Sequence, residues 1–326
     1  MSRSTKSRFQ VLTLPFGAHL RYELTDTTTG ESVSILPFLG GTINSLRVQA
    51  GTSLVETIDG YSSSKEALDK LESSFKGSNL FPFPNRIAGG QYTWDTQALQ
   101  LPVNFHHENN AIHGLVYNKQ FTVTETKEED SRCTLTVSFE ANGRDKGFPF
   151  SYTLSHEYSL DWQEGFCCRT RINNNSKTPM PAGHGWHPYF TAGADRIDEL
   201  LFSFPAHDIL EVNEVNIPTG RTFPYDNFGS PVPVADTRLD SCFLLEDTNR
   251  HATVLLQNTR INLTLRLWQE TGPGKYNYLQ VYTPPHRKSI AIEPMTCAPN
   301  ALNNKKGLIT IPSGESVTFS WGIKTG

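Results

Sequence analysis

The stretch FPFSYTLSHEYSL, residues 148–160, puts a ring or an aliphatic side chain at every second position: Phe148, Phe150, Tyr152, Leu154, His156, Tyr158 and Leu160. Successive side chains of an extended chain point to opposite faces, so this period of two reads as a strand with one buried face. The same pattern recurs on both sides. TLTVSFE places Leu135, Val137 and Phe139 on one face, and INLTLRLWQ does so with Ile261, Leu263, Leu265 and Leu267. Each run ends in turn-forming residues: ANGRDKG, NNNSKTP and ETGPGK. Strands bounded this closely by turns build antiparallel sheets, one face apolar and one wet.

One segment carries a helical period. SSKEALDKLESSF offers Ser63 or Ser64 as N-cap, Ala67, Leu68, Leu71 and Phe75 as an apolar stripe, and Gly77 as a stop. No fixed-period repeat and no Pro/Gly-rich linker divides the 326 residues. The expectation is a single all-β domain over residues 1–326, with about twenty or more strands at the usual 5–6 residues each, and one or two short helices. Residues 1–8, basic and polar, are expected as a frayed tail.

Composition narrows the function. The net charge is −4 and no long Lys/Arg cluster occurs, which argues against nucleic acid and against an anionic membrane surface. No apolar run approaches the roughly 18 residues of a membrane helix, and the N-terminus lacks the apolar core of a signal peptide. The five cysteines, at 133, 167, 168, 242 and 297, are odd in number, and two are adjacent. They read as reduced thiols in a cytoplasm. Phosphate-cradling loops with lysine, Gly-x-Ser-x-Gly elbows and Cys-x-x-Cys pairs are missing from the sequence, so the enzyme classes with the loudest local marks are disfavoured.

Five stretches carry candidate chemistry. In GHGWHPYF, residues 183–190, two histidines stand three apart, but Gly183, Gly185 and Pro188 oppose a helix. If the stretch is extended, His184 and His187 face opposite sides and cannot easily share a metal. His187 then sides with Tyr189, and His184 with Trp186; a hydrogen-bonded core histidine is the plain alternative for either. In SIAIEPM, Glu293 stands at the end of an apolar strand that Pro294 breaks; it is either an edge charge or a site carboxylate with a raised pKa. In NLFPFPNRIAGGQYTW, Pro82 and Pro84 hold Asn85-Arg86, a fixed guanidinium suited to hydroxyls or carboxylates, or else a surface ion pair. NAIHGLV presents His113 before a glycine, and RLDSCFLL presents Asp240 before an apolar run; each alone is also an ordinary turn residue.

Taken in this order, PFPNRIAGGQYTW, IHG, HPYF, LDSCF and AIEP resemble the aldose 1-epimerase (galactose mutarotase) family, over roughly residues 17–323. The resemblance implies a β-supersandwich, no cofactor or metal, and interconversion of the α and β anomers of a free sugar. By position it makes Glu293 the general base and His187 the general acid. Arg86 and His113 would hold the sugar near its ring oxygen and anomeric centre, Asp240 would grip hydroxyls, and Asn85 is the Asn before that Arg. The chain departs from the family pattern at Phe81-Pro82, Leu115 and Ser241.

The expected partner is a small-molecule aldohexose, and the expected protein a monomer or weak homodimer. The chemistry asks for one base and one acid on opposite sides of the C1–O5 unit, with the carboxylate ionised and the imidazole charged near neutral pH. The alternatives are a hexose-6-phosphate epimerase, with Arg144, Lys146 or Arg196 at the rim, a carbohydrate-binding protein without catalysis, and a glycoside hydrolase using Asp240 and Glu293 as its carboxylate pair.

Overall fold

The alternating stretch around Tyr152 forms the strand Ser151–Asp161, in which Tyr152, Leu154, His156, Tyr158 and Leu160 are buried and their neighbours are not. It lies inside a nine-stranded antiparallel sheet. The order is Thr122–Glu128, Arg132–Asn142, Ser151–Asp161, Gly165–Asn174, Ser316–Thr325, Leu263–Glu270, His251–Asn258, Leu201–Ser203 and Val232–Pro233. The structure is a computed structural model that describes residues 7–246 and 250–326.

A second sheet, of eight strands, runs Pro218–Pro224, Ala206–Val212, Asp240–Leu245, Tyr278–Tyr282, Ile290–Met295, Gly185–His187 and Ser78–Leu80, with Tyr189–Phe190 also on Ile290–Met295. Five strands between Phe9 and Glu56 make a third sheet. The two large sheets share one apolar core, so the architecture is the expected all-β supersandwich. Trp186, fully buried, projects from the smaller sheet and meets rings of the larger one: His156 at 4.9 Å and Trp321 at 6.3 Å between centroids.

A buried polar chain also crosses between the sheets. Tyr276 Oη lies 3.0 Å from His184 Nδ1, His184 Nε2 3.0 Å from Asn79 Oδ1, Asn79 Nδ2 2.8 Å from His156 Nε2, and His156 Nδ1 3.0 Å from Thr170 Oγ1. If Tyr276 and Asn79 donate to ring nitrogens, each histidine is neutral and every link has one donor and one acceptor.

Three local expectations change. Arg8, counted in the tail, is fixed by two hydrogen bonds to buried Asp26, because pairing of Phe9 with Asp26 brings the chain start beside that carboxylate; residues 1–6 of the expected tail lie outside the described residues. The helix is Ser64–Ser74, capped by the Ser63 side chain on the Glu66 N–H, but Leu68 is 55% exposed. Its buried stripe is Ala67, Leu71 and then Phe75, and Phe75 itself takes the left-handed cap (φ 49°) ahead of Gly77. Ile261 precedes its strand, which opens at Leu263 after Asn262 turns the chain at φ 50°.

Candidate active site

The site grows from the register of the smaller sheet. Gln280 pairs with both Cys242 and Glu293, and Asp240 pairs with Tyr282. Gly185 opposite Met295 and Tyr189 opposite Ala291 place His187 opposite Glu293 across the next gap. Directly opposed residues share a face, so Gln280, Glu293 and His187 form one row, with Asp240, Tyr282 and Tyr189 two residues along on the same face. The sequence HPYF serves this arrangement: Pro188 divides Gly185–His187 from Tyr189–Phe190, yet both pieces pair with Ile290–Met295. Pro294, expected to end that strand, lies within it instead, opposite Trp186. Glu293 is therefore an interior strand residue, 1% exposed, rather than a terminal one.

His184 and His187 do point to opposite sides. His184 joins the polar chain between the sheets, while His187 stacks on Tyr189 at 4.9 Å and 20°. Trp186 thus belongs to the core and Tyr189 to the cavity, a division the sequence left open.

The remaining residues arrive from a separate small ladder. Arg86–Ala88 pairs with Asn110–Ile112, with Ile112 opposite Arg86. Asn85 (φ 57°) and His113 (φ 61°) flank it, both in the left-handed region, and the His113 N–H donates to the Asn85 carbonyl at 2.9 Å. Gly114 follows because a Cβ there would lie 2.2 Å from the Phe81 carbonyl oxygen. Asn85, Arg86, His113, His187, Asp240 and Glu293 all line one cavity of about 300 Å³.

His187 Nε2 and Glu293 Oε1 are 3.3 Å apart. The residues expected as acid and base therefore stand side by side, rather than far enough apart to flank the C1–O5 unit from opposite sides. The reason is the register, which seats them as a cross-strand pair. His113 meets His187 edge to face, with ring centroids 5.0 Å apart. Arg86 lies over Phe105 at 5.3 Å, and its Nη2 is 3.9 Å from Asp240 Oδ2; Gln280 donates to Asp240 Oδ1 at 2.8 Å.

Burial governs the protons. It pushes Glu293 well above its ordinary pKa, with Asp240's charge adding to the effect. It pushes His187 down to about 3, and His113 well below its usual value. The free site thus favours a protonated carboxyl beside a neutral imidazole, the reverse of the expected assignment, because low-dielectric surroundings disfavour both charged forms. Glu293 Oε2, His187 Nδ1 and His113 Nδ1 are buried without a hydrogen-bond partner among the described residues. Buried polar atoms are rarely left so, and all three belong to residues that line one cavity.

Sequence reasoning missed several lining residues. Gln280 and Tyr282 belong to a strand, YLQVY, that reads only as apolar alternation. Glu108 sits in the loop HHEN, where a carboxylate is unremarkable until the chain folds back onto Arg86. Phe75 reaches the cavity from the end of the helix, its ring 4.7 Å from that of His113. The cations considered for a phosphate are elsewhere. Arg196 pairs with Asp198 at 2.7 Å, Arg144 lines a separate hollow with Phe139 and Tyr152, and Lys146 is exposed away from the cavity lining.

The chain and its fold are similar to those of known proteins. The family model Aldose 1-epimerase matches residues 21–324. The Escherichia coli (strain K12) protein YihR is 31% identical over 245 residues, 73% of this chain and 75% of its own. Among solved structures, a galactose mutarotase-like protein from Clostridium acetobutylicum superposes with a TM-score of 0.86 at 21% identity, covering 98% of this chain and 99% of that one. The galactose 1-epimerase from Lactobacillus acidophilus NCFM does so at 0.78 and 18% identity, covering 98% and 99%. With the family model spanning nearly the whole chain and the supersandwich shared from end to end, this protein belongs to the aldose 1-epimerase family.

Proposed function

We propose that the protein is an aldose 1-epimerase that interconverts the anomers of a free aldohexose, with Glu293 as base and His187 as acid. The observation that carries this reading is the buried His187–Glu293 pair, 3.3 Å apart, in a polar cavity of about 300 Å³. That volume is at the low end of ligand pockets, roughly 300–1,000 Å³, and suits a monosaccharide. The C1 hydroxyl oxygen and the ring oxygen are bonded to the same carbon, so two adjacent side chains can each reach one of them.

Glu293 takes the proton of the C1 hydroxyl while His187 gives one to the ring oxygen. The C1–O5 bond breaks, C1 becomes an aldehyde, the C1–C2 bond turns, and the reverse steps close the ring on the other face. Ionised Glu293 with protonated His187 holds the same number of protons as the neutral pair of the free site. Moving that proton costs no exchange with solvent, and sugar hydroxyls donating to Glu293 Oε2 would favour the ionised carboxylate. His113, kept neutral by burial, can accept from or donate to the sugar, and Arg86 and Asp240 hold hydroxyls.

A glycoside hydrolase would set a second carboxylate across the bond from Glu293; here an imidazole faces Glu293, and Asp240 is engaged by Gln280. A cytoplasmic setting fits the five unpaired cysteines. The test is polarimetry of freshly dissolved α-D-glucose and α-D-galactose, with glucose 6-phosphate alongside. Acceleration well above the spontaneous rate for a free hexose is expected. Acceleration of the phosphate alone would move the assignment to the phosphorylated sugar, and acceleration of none would leave a binding protein.

A further inference from the structure

Glu108 stands behind Arg86 and is engaged with it on two sides. Its Oε2 accepts from Arg86 Nε at 2.5 Å and its Oε1 from Nη2 at 3.1 Å. This fork-to-fork pair takes one edge of the guanidinium; Nη1 is 3.3 Å from Asn85 Oδ1, and Nη2 also looks toward Asp240. Both partners are nearly buried, with side chains 8% and 12% exposed. Glu108 is itself braced from another part of the chain: Asn216 donates to Oε1 at 3.0 Å and Asn110 to Oε2 at 3.4 Å, while Asn110 also donates to the Val215 carbonyl. The 213–217 turn thereby sets the position of a carboxylate that sets the position of Arg86.

The pair also fixes the charge of the cavity. Arg86 is the one Lys or Arg among the described lining residues, whereas Glu72, Glu108, Asp240 and Glu293 are carboxyls. With Arg86 neutralised by Glu108, no net positive charge remains to receive an anion.

Resting on the epimerase reading, we propose that Glu108 is the positioning residue for Arg86 and that it sets the site's preference for uncharged over anionic sugars. Removing its charge while keeping its shape costs Arg86 one bond of the fork and its nearest counter-charge, leaving Asn85 and the more distant Asp240 to hold the guanidinium in a low-dielectric cavity. Neutral sugars then bind less well because the guanidinium is less fixed, and carboxylated sugars bind better because one negative charge beside Arg86 has gone.

The experiment compares D-glucose with D-glucuronate, by polarimetric kcat and KM and by calorimetric binding, in wild type, Glu108→Gln and Asn216→Ala, each checked for folding by circular dichroism. Wild type should bind glucuronate at least about tenfold more weakly than glucose. Glu108→Gln should raise KM for glucose about tenfold with kcat altered less than about threefold. It should also shift the glucose-to-glucuronate ratio of kcat/KM by about tenfold or more toward glucuronate, and added salt should reduce that shift. Asn216→Ala should raise KM by a smaller factor and leave the ratio unchanged, since no charge is lost. An unchanged ratio in folded Glu108→Gln overturns the proposal. So does equal binding of both sugars by wild type, which decides the matter even where Glu108→Gln does not fold. A wild type that accelerates no sugar overturns the epimerase reading instead, and the binding arm still reports on Glu108.

Discussion

At the scale of residues, the site rests on two side chains whose ordinary proton affinities are inverted by burial. Glu293 is pushed up and His187 down, so burial favours the neutral form of each, a pair holding one proton between them. On the mechanism proposed, activity should be lost when a second proton is added at low pH or the single proton leaves at high pH, and both charged states are disfavoured in this cavity. The kcat/KM profile should therefore be a broad plateau, extending beyond the interval between free carboxyl and imidazole values, about 4.3 and 6.5. Its limbs belong to the pair rather than to either residue. A narrow bell inside that interval would contradict the inversion. Glu293→Gln and His187→Asn should each lower kcat about 10²-fold or more, and the double variant should lose less than the product, as expected of groups acting together. Arg86→Ala and Asp240→Ala should act mainly through KM. Near wild-type kcat in folded Glu293→Gln would remove it as the base.

At the scale of elements, the cavity is an edge-to-face meeting of three pieces: the smaller sheet, the Arg86–Ala88 ladder, and the end of the helix Ser64–Ser74. The ladder is seated by backbone contacts that leave no room for a side chain at Gly114, where φ is 76° and a Cβ would lie 2.2 Å from the Phe81 carbonyl oxygen. Gly51 has a similar φ of 60° but nothing within 4 Å of the corresponding Cβ. Gly51→Ala should cost about 1–2 kcal/mol, the left-handed penalty alone. Gly114→Ala should cost more, and should also raise KM, because His113 moves with its neighbour. Urea denaturation of both variants, with polarimetry, checks this; equal costs would show that the close approach to Phe81 can relax. The helix gives a second contrast. Ser63→Ala removes the cap on the Glu66 N–H and should cost about 1 kcal/mol, whereas Leu68→Ala, on the exposed face, should stay within about 0.5 kcal/mol.

At the scale of the molecule, one apolar core spans both large sheets, and four histidines are buried as neutral groups: His113, His156, His184 and His187. Burial lowers each below its ordinary value, His156 to about 3. Their contribution to stability is complete above the unfolded value of about 6.5 and is lost as pH falls toward the folded values, each tenfold difference in proton affinity being worth about 1.4 kcal/mol. Glu293 and Asp240 act in the other direction, since a raised carboxyl stabilises below its unfolded value of about 4 and less so as pH rises. Four histidines against two carboxyls give a net loss on acidification. The urea midpoint should fall steadily from pH 7 to pH 5, in one cooperative transition if the chain is a single domain as we propose. A midpoint flat over that range would mean that the histidines are hydrated in solution, and two separate transitions would divide the domain.

None of the described helices is long and apolar enough to cross a membrane, and the strand pattern that replaces helices was readable from residues alone. Period-two alternation is a local property, written into neighbouring side chains, so Tyr152 to Leu160 announced a strand with one buried face before any partner was known. The same local rule separated His184 from His187. The motifs that resemble the family, from Asn85-Arg86 to Glu293, named six residues that the fold gathers around one cavity. What sequence could not supply was anything depending on register between strands far apart in the chain. That Glu293 lies inside its strand, that it faces His187 at 3.3 Å on the same side, that Trp186 fills the core while Tyr189 lines the cavity, and that Glu108 and Asn216 stand behind Arg86 all follow from pairings between separate segments of the chain. The proton inversion has the same origin. A carboxyl and an imidazole carry ordinary affinities until packing removes water from around them, and packing belongs to the folded chain.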